Sequence, residues 1–231
     1  NKSDIVTCVS ASLKRDTLEK FDINNEIEVV PNFIDISKYI LQQKRCIVEN
    51  TESNKVPIIT HVSNFRPVKN IKNVVLVFNN IQKEIPSKLL MIGEGPEKEM
   101  AEQLCKELSI ENKVEFLGNS NQVEKNLCHS DLFLLPSNTE SFGLAALEAM
   151  ASKVAVISSD AGGLSEINIH GETGYLTKPD DIELMSKYAI SILKDSSLLE
   201  KFKKKSFKMA KAFDINNIVP IYEKIYKRAL N

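Results

Sequence analysis

Leu132-Phe-Leu-Leu-Pro136-Ser-Asn-Thr-Glu140-Ser-Phe-Gly-Leu144-Ala-Ala-Leu-Glu148 is the stretch whose reading decides the fold. Its opening is a short, wholly apolar run of the kind that forms a strand buried on both faces. Pro136 stops the run, Ser137 to Glu140 form a polar loop, and small residues of helical character follow from Leu144. A strand, a short loop and a helix make half of a crossover unit in a parallel sheet. The same three pieces make an anion site. The first N–H groups of the helix, at Phe142, Gly143 and Leu144, have no partner in the preceding turn and point outward at the positive end of the helix dipole. Gly143 lets a phosphate come close to the backbone. Glu140 lies in the loop just before the helix and Glu148 about one and a half turns inside it, so the two acids flank the anion site and have different jobs. A carboxylate accepts two hydrogen bonds from a vicinal diol such as a ribose. The plainer reading makes Glu140 a helix-start acid favourable to the dipole and Glu148 a surface residue, but Leu147, Ala149 and Met150 around Glu148 are apolar.

Outward from this stretch the chain repeats the same alternation. Strands are expected at 56–62, 88–92, 113–117, 131–135, 154–157 and 174–176, and helices at 70–85, 97–108, 122–128, 144–152 and 181–193. This is a doubly wound, Rossmann-like parallel α/β sheet, with its ligand crevice at the carboxyl ends of the strands. Upstream, 4–9 and 26–30 read as strands around a helix at 12–21, ended by Pro31-Asn32. The polar stretch 42–55 reads as a connection, and 198–230 is strongly helical and basic around Lys201, Lys203, Lys204, Lys205 and Lys208. A solvated helix face is the default for such a charge run; contact with an anionic membrane is the sharper alternative.

Thirty basic against 31 acidic residues leave a net charge of -1, which argues against a dedicated nucleic-acid binder. No apolar run approaches the roughly 18 residues of a membrane-spanning helix, so a soluble, cytoplasmic chain is expected. Cys8, Cys46, Cys105 and Cys128 are far apart and form no Cys-x-x-Cys pair, which predicts reduced thiols rather than a zinc or redox motif. Asn1 is not an initiator methionine, and the chain is expected to begin mid-protein. Gly93-Glu-Gly-Pro96 lacks the third glycine of a dinucleotide loop and reads as a tight turn before a helix. His61 at a strand end reads as a structural group. His129 and His170 show no partners for a metal or a triad, and 170–174 reads as a glycine-supported hairpin turn.

With Phe-Gly-Leu between Glu140 and Glu148, the sequence resembles the family 4 retaining glycosyltransferases of GT-B fold. The resemblance also rests on Val29-Val-Pro-Asn-Phe-Ile-Asp35, Ser63-Asn-Phe-Arg-Pro-Val-Lys69, Gly93-Glu-Gly-Pro96, Val114-Glu-Phe-Leu-Gly118 and Ala161-Gly-Gly-Leu-Ser-Glu166, which span nearly the whole chain. Most members place an arginine where this chain has Asn64; Arg66, three residues before Lys69, resembles the bacillithiol-pathway subgroup. The resemblance implies a chain that is the donor-binding half of a two-domain enzyme: 1–34 a remnant of the acceptor domain and interdomain crossing, 35–212 the nucleotide-sugar domain, and 213–231 a C-terminal helix packing toward the acceptor domain. It implies transfer of N-acetylglucosamine from UDP-N-acetylglucosamine to L-malate, without cofactor or metal, the acceptor being bound by the absent domain.

Carried over residue by residue, Arg66 and Lys69 neutralise the leaving diphosphate, aided by the N–H groups of Gly143 and Leu144. Cations ahead of a helix are otherwise unfavourable, which speaks against an ordinary basic loop. Glu140 binds hydroxyls of the transferred sugar and Glu148 the ribose. Phe142 contributes its backbone, Leu117 lies by the uracil, and Ser63 and Asn64 complete the donor contacts. Lys153 stands where the family has glycine, Ala155 where it has proline, and Ser165 where proline is frequent; a slightly different turn is expected at Lys153. Alternatives are a family 4 enzyme with another donor or a lipid or cell-wall acceptor, and a non-catalytic nucleotide-sugar-binding module. A glycoside hydrolase using both glutamates is disfavoured, because two acids on one loop–helix segment do not flank a sugar.

Overall fold

The computed structural model describes residues 3–23, 25–49 and 56–230. Six parallel strands form its main sheet: β3 (Ile58–Val62), β4 (Lys88–Ile92), β5 (Val114–Gly118), β6 (Leu132–Leu135), β7 (Ala155–Ser159) and β8 (Gly174–Thr177). Their order across the sheet is β5-β4-β3-β6-β7-β8. The chain therefore builds outward from β3 to one edge, returns to lay β6 on the other side of β3, and builds to the opposite edge. The reversal opens a crevice between the carboxyl ends of β3 and β6. A separate two-stranded parallel sheet joins β1 (Val6–Cys8) to β2 (Ile27–Val29) across α1 (Ala11–Lys20). The doubly wound parallel sheet expected from the sequence is the observed fold.

Helices cover both faces, which is why β6 and β7 are buried along their whole length. Alternation along β6 divides the core. Leu132 and Leu134 face the cluster built from α3 (Ile71–Glu84), α4 (Lys98–Glu107), α8 (Ile182–Lys194) and α9 (Ser196–Ala210). Phe133 and Leu135 face the cluster of α2 (Ile36–Glu49), α5 (Val123–Leu127), α6 (Leu144–Ala151) and α7 (Leu164–Ile167).

The main departure from expectation is α2, which occupies much of the stretch read as a polar connection. Its buried residues Ile36, Tyr39, Gln42 and Cys46 recur three or four apart and face the core, while the Gln, Lys and Arg content hides that stripe from a composition-based reading. Residues 50–55 of that stretch, like Asn1, lie outside the described residues. The basic C-terminal stretch is two helices, because Asp214 caps a new one, α10 (Ile215–Ala229), after the turn Lys211–Phe213. Residue Ile34 is stitched to the start of α10 by Ile34 N–H to Phe213 O (3.0 Å) and Ile215 N–H to Ile34 O (2.9 Å). Further along α10, Ile218 and Ile225 pack with Val30, and Arg228 pairs with Glu28. Residues 170–174 turn at Gly171 (φ +76°), but β8 runs parallel to β7, so the turn enters a crossover strand and does not close a hairpin.

Lys153 sits in a turn of the kind that favours glycine. It takes the left-handed conformation (φ +55°), and the N–H groups of Lys153 and Val154 cap the carbonyls of Met150 and Ala149. In this conformation the backbone accepts roughly 1–2 kcal/mol of strain. The lysine stem continues so that Nζ lies 5.3 Å over the Phe207 ring. In the basic run, Lys203 pairs with Asp131 (3.0 Å) and Lys205 with Glu172 (3.1 Å).

Candidate functional site

Two loops meet at the crevice. The first leaves β3 at Ser63 and reaches α3 through the 3-10 turn Pro67–Lys69. It is held from below by the fully buried Phe65, which adopts φ +35°, an unusual value for an aromatic residue. The Gly93–Gly95 turn after β4 lies directly against this loop: a Cβ on Gly93 would stand 1.7 Å from Ser63 O, and one on Gly95 2.2 Å from Asn64 O. Those glycines therefore serve close packing, and α4 follows them as the sequence predicts.

The second loop runs from Pro136 to Gly143. It is tied to the first by Asn138 N–H donating to Val68 O (2.8 Å) and by an ion pair between Lys69 Nζ and Glu140 Oε1 (2.5 Å). Ser137 donates its hydroxyl to the same carboxylate oxygen (2.9 Å). Lys69 and Glu140 are largely buried, with side chains 20% and 10% exposed, so the pair is held in place and little screened by water. Behind Glu140 the Ala161-Gly-Gly turn supports the backbone. Gly163 N–H bonds Glu140 O (2.9 Å), and a Cβ on Gly162 would come within 1.9 Å of that oxygen. Farther out, Ser10 Oγ donates to Ser141 O (2.6 Å), and the N–H groups of Ala11 and Ser12 bond the Glu166 carboxylate.

Gly143 enters α6 in the left-handed conformation (φ +94°), and no side chain caps the helix. Its first N–H groups are thus left to a ligand, next to the Lys69–Glu140 pair. Glu148, in the second turn of α6, accepts a hydrogen bond from Tyr39 Oη on α2 (3.3 Å). Burial raises its pKa above the usual carboxylate range, partly offset by the Tyr39 bond. Burial, with Glu148 beside it, likewise raises the Tyr39 phenol.

The sequence-derived residues thus separate into groups. Lys69 and Glu140 are brought into direct contact, with Gly143 and Leu144 beyond them. Ser63 and Asn64 lie on the adjoining loop. Arg66 is exposed; its carbonyl accepts from Lys69 N–H (2.8 Å), while its side chain has no hydrogen-bond or ion-pair partner among the described residues. Glu148 shares no partner with Glu140. Phe142 buries its ring against Phe213 (5.5 Å between centroids), leaving its backbone for the site. Leu117 is 36% exposed near the end of the edge strand β5, where Gly118 O accepts from Gly93 N–H. His61 is structural: fully buried, it bonds Leu134 O (2.8 Å) and Ser63 Oγ (2.7 Å), and burial lowers its pKa to about 4.

Tyr39, Ser137, Asn138 and the Gly162–Gly163 turn hold the candidate residues in place and are not among those the sequence singles out. Ser137 carries a faint signal, three residues before Glu140; Tyr39 carries none, since the polar content of α2 hides the helix. The cysteine expectation is corrected as well. Cys46 and Cys128 are joined in a disulfide although 82 residues apart, because α2 packs on α5; Cys8 and Cys105 are free and buried. His129 accordingly has a neighbour, its Nε2 lying 3.7 Å from Cys46 Sγ. No described helix is long and apolar enough to cross a membrane.

Comparison with known proteins agrees with this fold. The chain is 41% identical over 229 residues to the N-acetyl-alpha-D-glucosaminyl L-malate synthase of Bacillus anthracis, covering 97% of this chain and 60% of that protein. Its fold superposes on sucrose-phosphate synthase from Thermosynechococcus elongatus with TM-score 0.87 (23% identity, 98% of this chain and 58% of that one). It superposes on Anabaena HepE in complex with UDP-glucose with TM-score 0.84 (20% identity, 96% and 64%). These likenesses are to GT-B structures, and the chain spans roughly three fifths of each relative's length. Residues 42–209, from the middle of α2 to the end of α9, match the glycosyl transferases group 1 family, and the chain belongs to that family.

Proposed function

We propose that this chain is the donor-binding part of a retaining glycosyltransferase that moves N-acetylglucosamine from UDP-N-acetylglucosamine to L-malate. The observation that carries the reading is the junction of Lys69, Glu140 and the uncapped start of α6. It sets a cation and free N–H groups where a diphosphate would sit, beside a carboxylate able to take sugar hydroxyls. Departure of UDP builds charge on the β-phosphate; Lys69 and the α6 N–H groups stabilise it without reorganising, and the exposed Arg66 adds a second cation. In this reading the positive charge comes from these groups rather than from a divalent metal. Glu148 accepts the ribose hydroxyls, Leu117 lies by the uracil, and Ser63, Asn64 and the Phe142 backbone line the donor. The 41% identity to the Bacillus anthracis synthase supports both the donor sugar and the malate acceptor.

The domain reading belongs to the same proposal. Residues 1–34 and the C-terminal helix belong with the acceptor half, and 35–212 hold the donor. Calorimetric titration of the chain with UDP tests the site: binding is expected, and Glu148→Ala should weaken it at least tenfold. Unchanged affinity in that variant would remove Glu148 from the site.

A further inference from the structure

The disulfide between α2 and the end of α5 lies outside the donor loops and has surroundings that suit chemistry. Cys46 is 2% exposed, Cys128 is half-buried, and their Cα atoms are 6.3 Å apart. Around Cys46 Sγ stand His129 Nε2 at 3.7 Å and Gln42 Nε2 at 3.4 Å; the same amide is 3.7 Å from Cys128 Sγ. An imidazole and an amide donor are the groups that make a buried thiolate tolerable and a sulfur a good leaving group. Cys128, by contrast, borders a cleft of about 510 Å³ whose wall includes Lys153, Lys203, Lys204 and Glu200. Cys128 therefore stands on the cleft side, and Cys46 is the sulfur equipped to leave.

We propose that Cys46–Cys128 is an exchangeable disulfide that takes a small, acidic thiol as its partner. The thiolate of the reagent attacks Cys128 Sγ, the S–S bond breaks, and its electron pair leaves on Cys46 Sγ, which takes a proton or remains a thiolate beside His129. A second molecule of the reagent attacks the mixed disulfide. It releases the oxidised reagent and a Cys128 thiolate, so two reagent thiols are oxidised as one protein disulfide is reduced. Lys203 is already paired with Asp131, and Lys153 and Lys204, in no ion pair among the described residues, favour a reagent carrying carboxylates. The other two cysteines do not compete: both are buried, and burial raises the Cys105 thiol to about 11. Opening the crosslink releases α2 from α5.

Glutathione and cysteamine, one acidic and one basic, are the probes, followed by alkylation and mass spectrometry of the chain. Glutathione is expected to reduce the pair faster than cysteamine at equal thiolate concentration. In oxidised glutathione, whose disulfide exchanges with the free thiol and releases one glutathione thiolate, Cys46→Ser should accumulate glutathione on Cys128 and Cys128→Ser should be modified on Cys46 at least tenfold more slowly; in reduced glutathione, His129→Ala should slow reduction of the otherwise intact pair. Hydrogen exchange of α2 amides should rise on reduction of the unmutated chain, a readout that needs no variant. The proposal is overturned by a pair that survives excess glutathione until the chain is denatured. Adducts forming first on Cys46, or two free thiols persisting in oxidised glutathione, would overturn it equally.

Discussion

Glu140 and Glu148 are the same residue type, eight positions apart on one loop–helix segment, yet the fold gives them opposite surroundings. Glu140 faces the Lys69 ammonium and the Ser137 hydroxyl, both of them donors to its carboxylate. Glu148 faces Tyr39 and the packed side of α6, a setting that resists charge. The difference teaches that one loop–helix segment can hold two acids in opposite states. The first is already neutralised by a cation, which in the proposed function would also meet the diphosphate. The second is half desolvated and gains from polar hydrogens, such as those of a diol.

The largest test of this contrast is Lys69→Ala. It leaves Glu140 largely buried without its cation, so stability should fall by up to roughly 3 kcal/mol in denaturant unfolding. UDP binding should fall about a hundredfold, near 2.7 kcal/mol. A loss of affinity smaller than that of the Glu148 variants would reverse the assignment of the two acids.

Glu148→Gln should act in opposite directions on stability and binding. The folded-state pKa of Glu148 lies above its unfolded value, so its favourable contribution is present below the unfolded value and is lost as pH rises through the folded one. The glutamine variant escapes that loss. Its melting temperature should match the unmutated chain below the unfolded carboxylate pKa, exceed it as pH rises through the raised folded value and hold a constant lead above that, while UDP binds about tenfold more weakly. Equal pH profiles for the two chains would mean that Glu148 is not held in a charge-resisting place.

Tyr39→Phe is the mildest change. Losing one partly buried hydrogen bond should cost about 1 kcal/mol of stability. The bond lowers the Glu148 pKa, so its removal should raise that pKa further, visible by carboxyl NMR titration. A Glu148 titration that does not move would show that Tyr39 is only packing.

Much of this contrast is legible in the sequence. Glu140, Glu148 and Gly143 stand out because a strand–loop–helix unit is a local pattern, and local patterns carry the hydrogen-bonding needs of a helix start, whereas Lys69, on a separate loop, is marked only by the family resemblance. Every strand of the main sheet falls within two residues of the limits its apolar run predicts. The helix α2 does not follow in this way, because its stripe of Ile36, Tyr39, Gln42 and Cys46 is half polar and emerges as a buried face only when α5 and α6 are present to cover it.

The sequence by itself determined the alternation of strands and helices, the parallel sheet that follows from it, and the glycine-led start of α6 that no side chain caps. Each depends on residues within one turn or one loop of each other. Only the tertiary structure decided that Lys69 pairs with Glu140 across 71 residues, that Tyr39 meets Glu148 across 109, and that Cys46 meets Cys128 across 82. Those meetings depend on which loops the sheet order makes neighbours and on how α2 seats over α5 and α6. Both are set by burial summed over the whole core, which no single stretch of sequence contains.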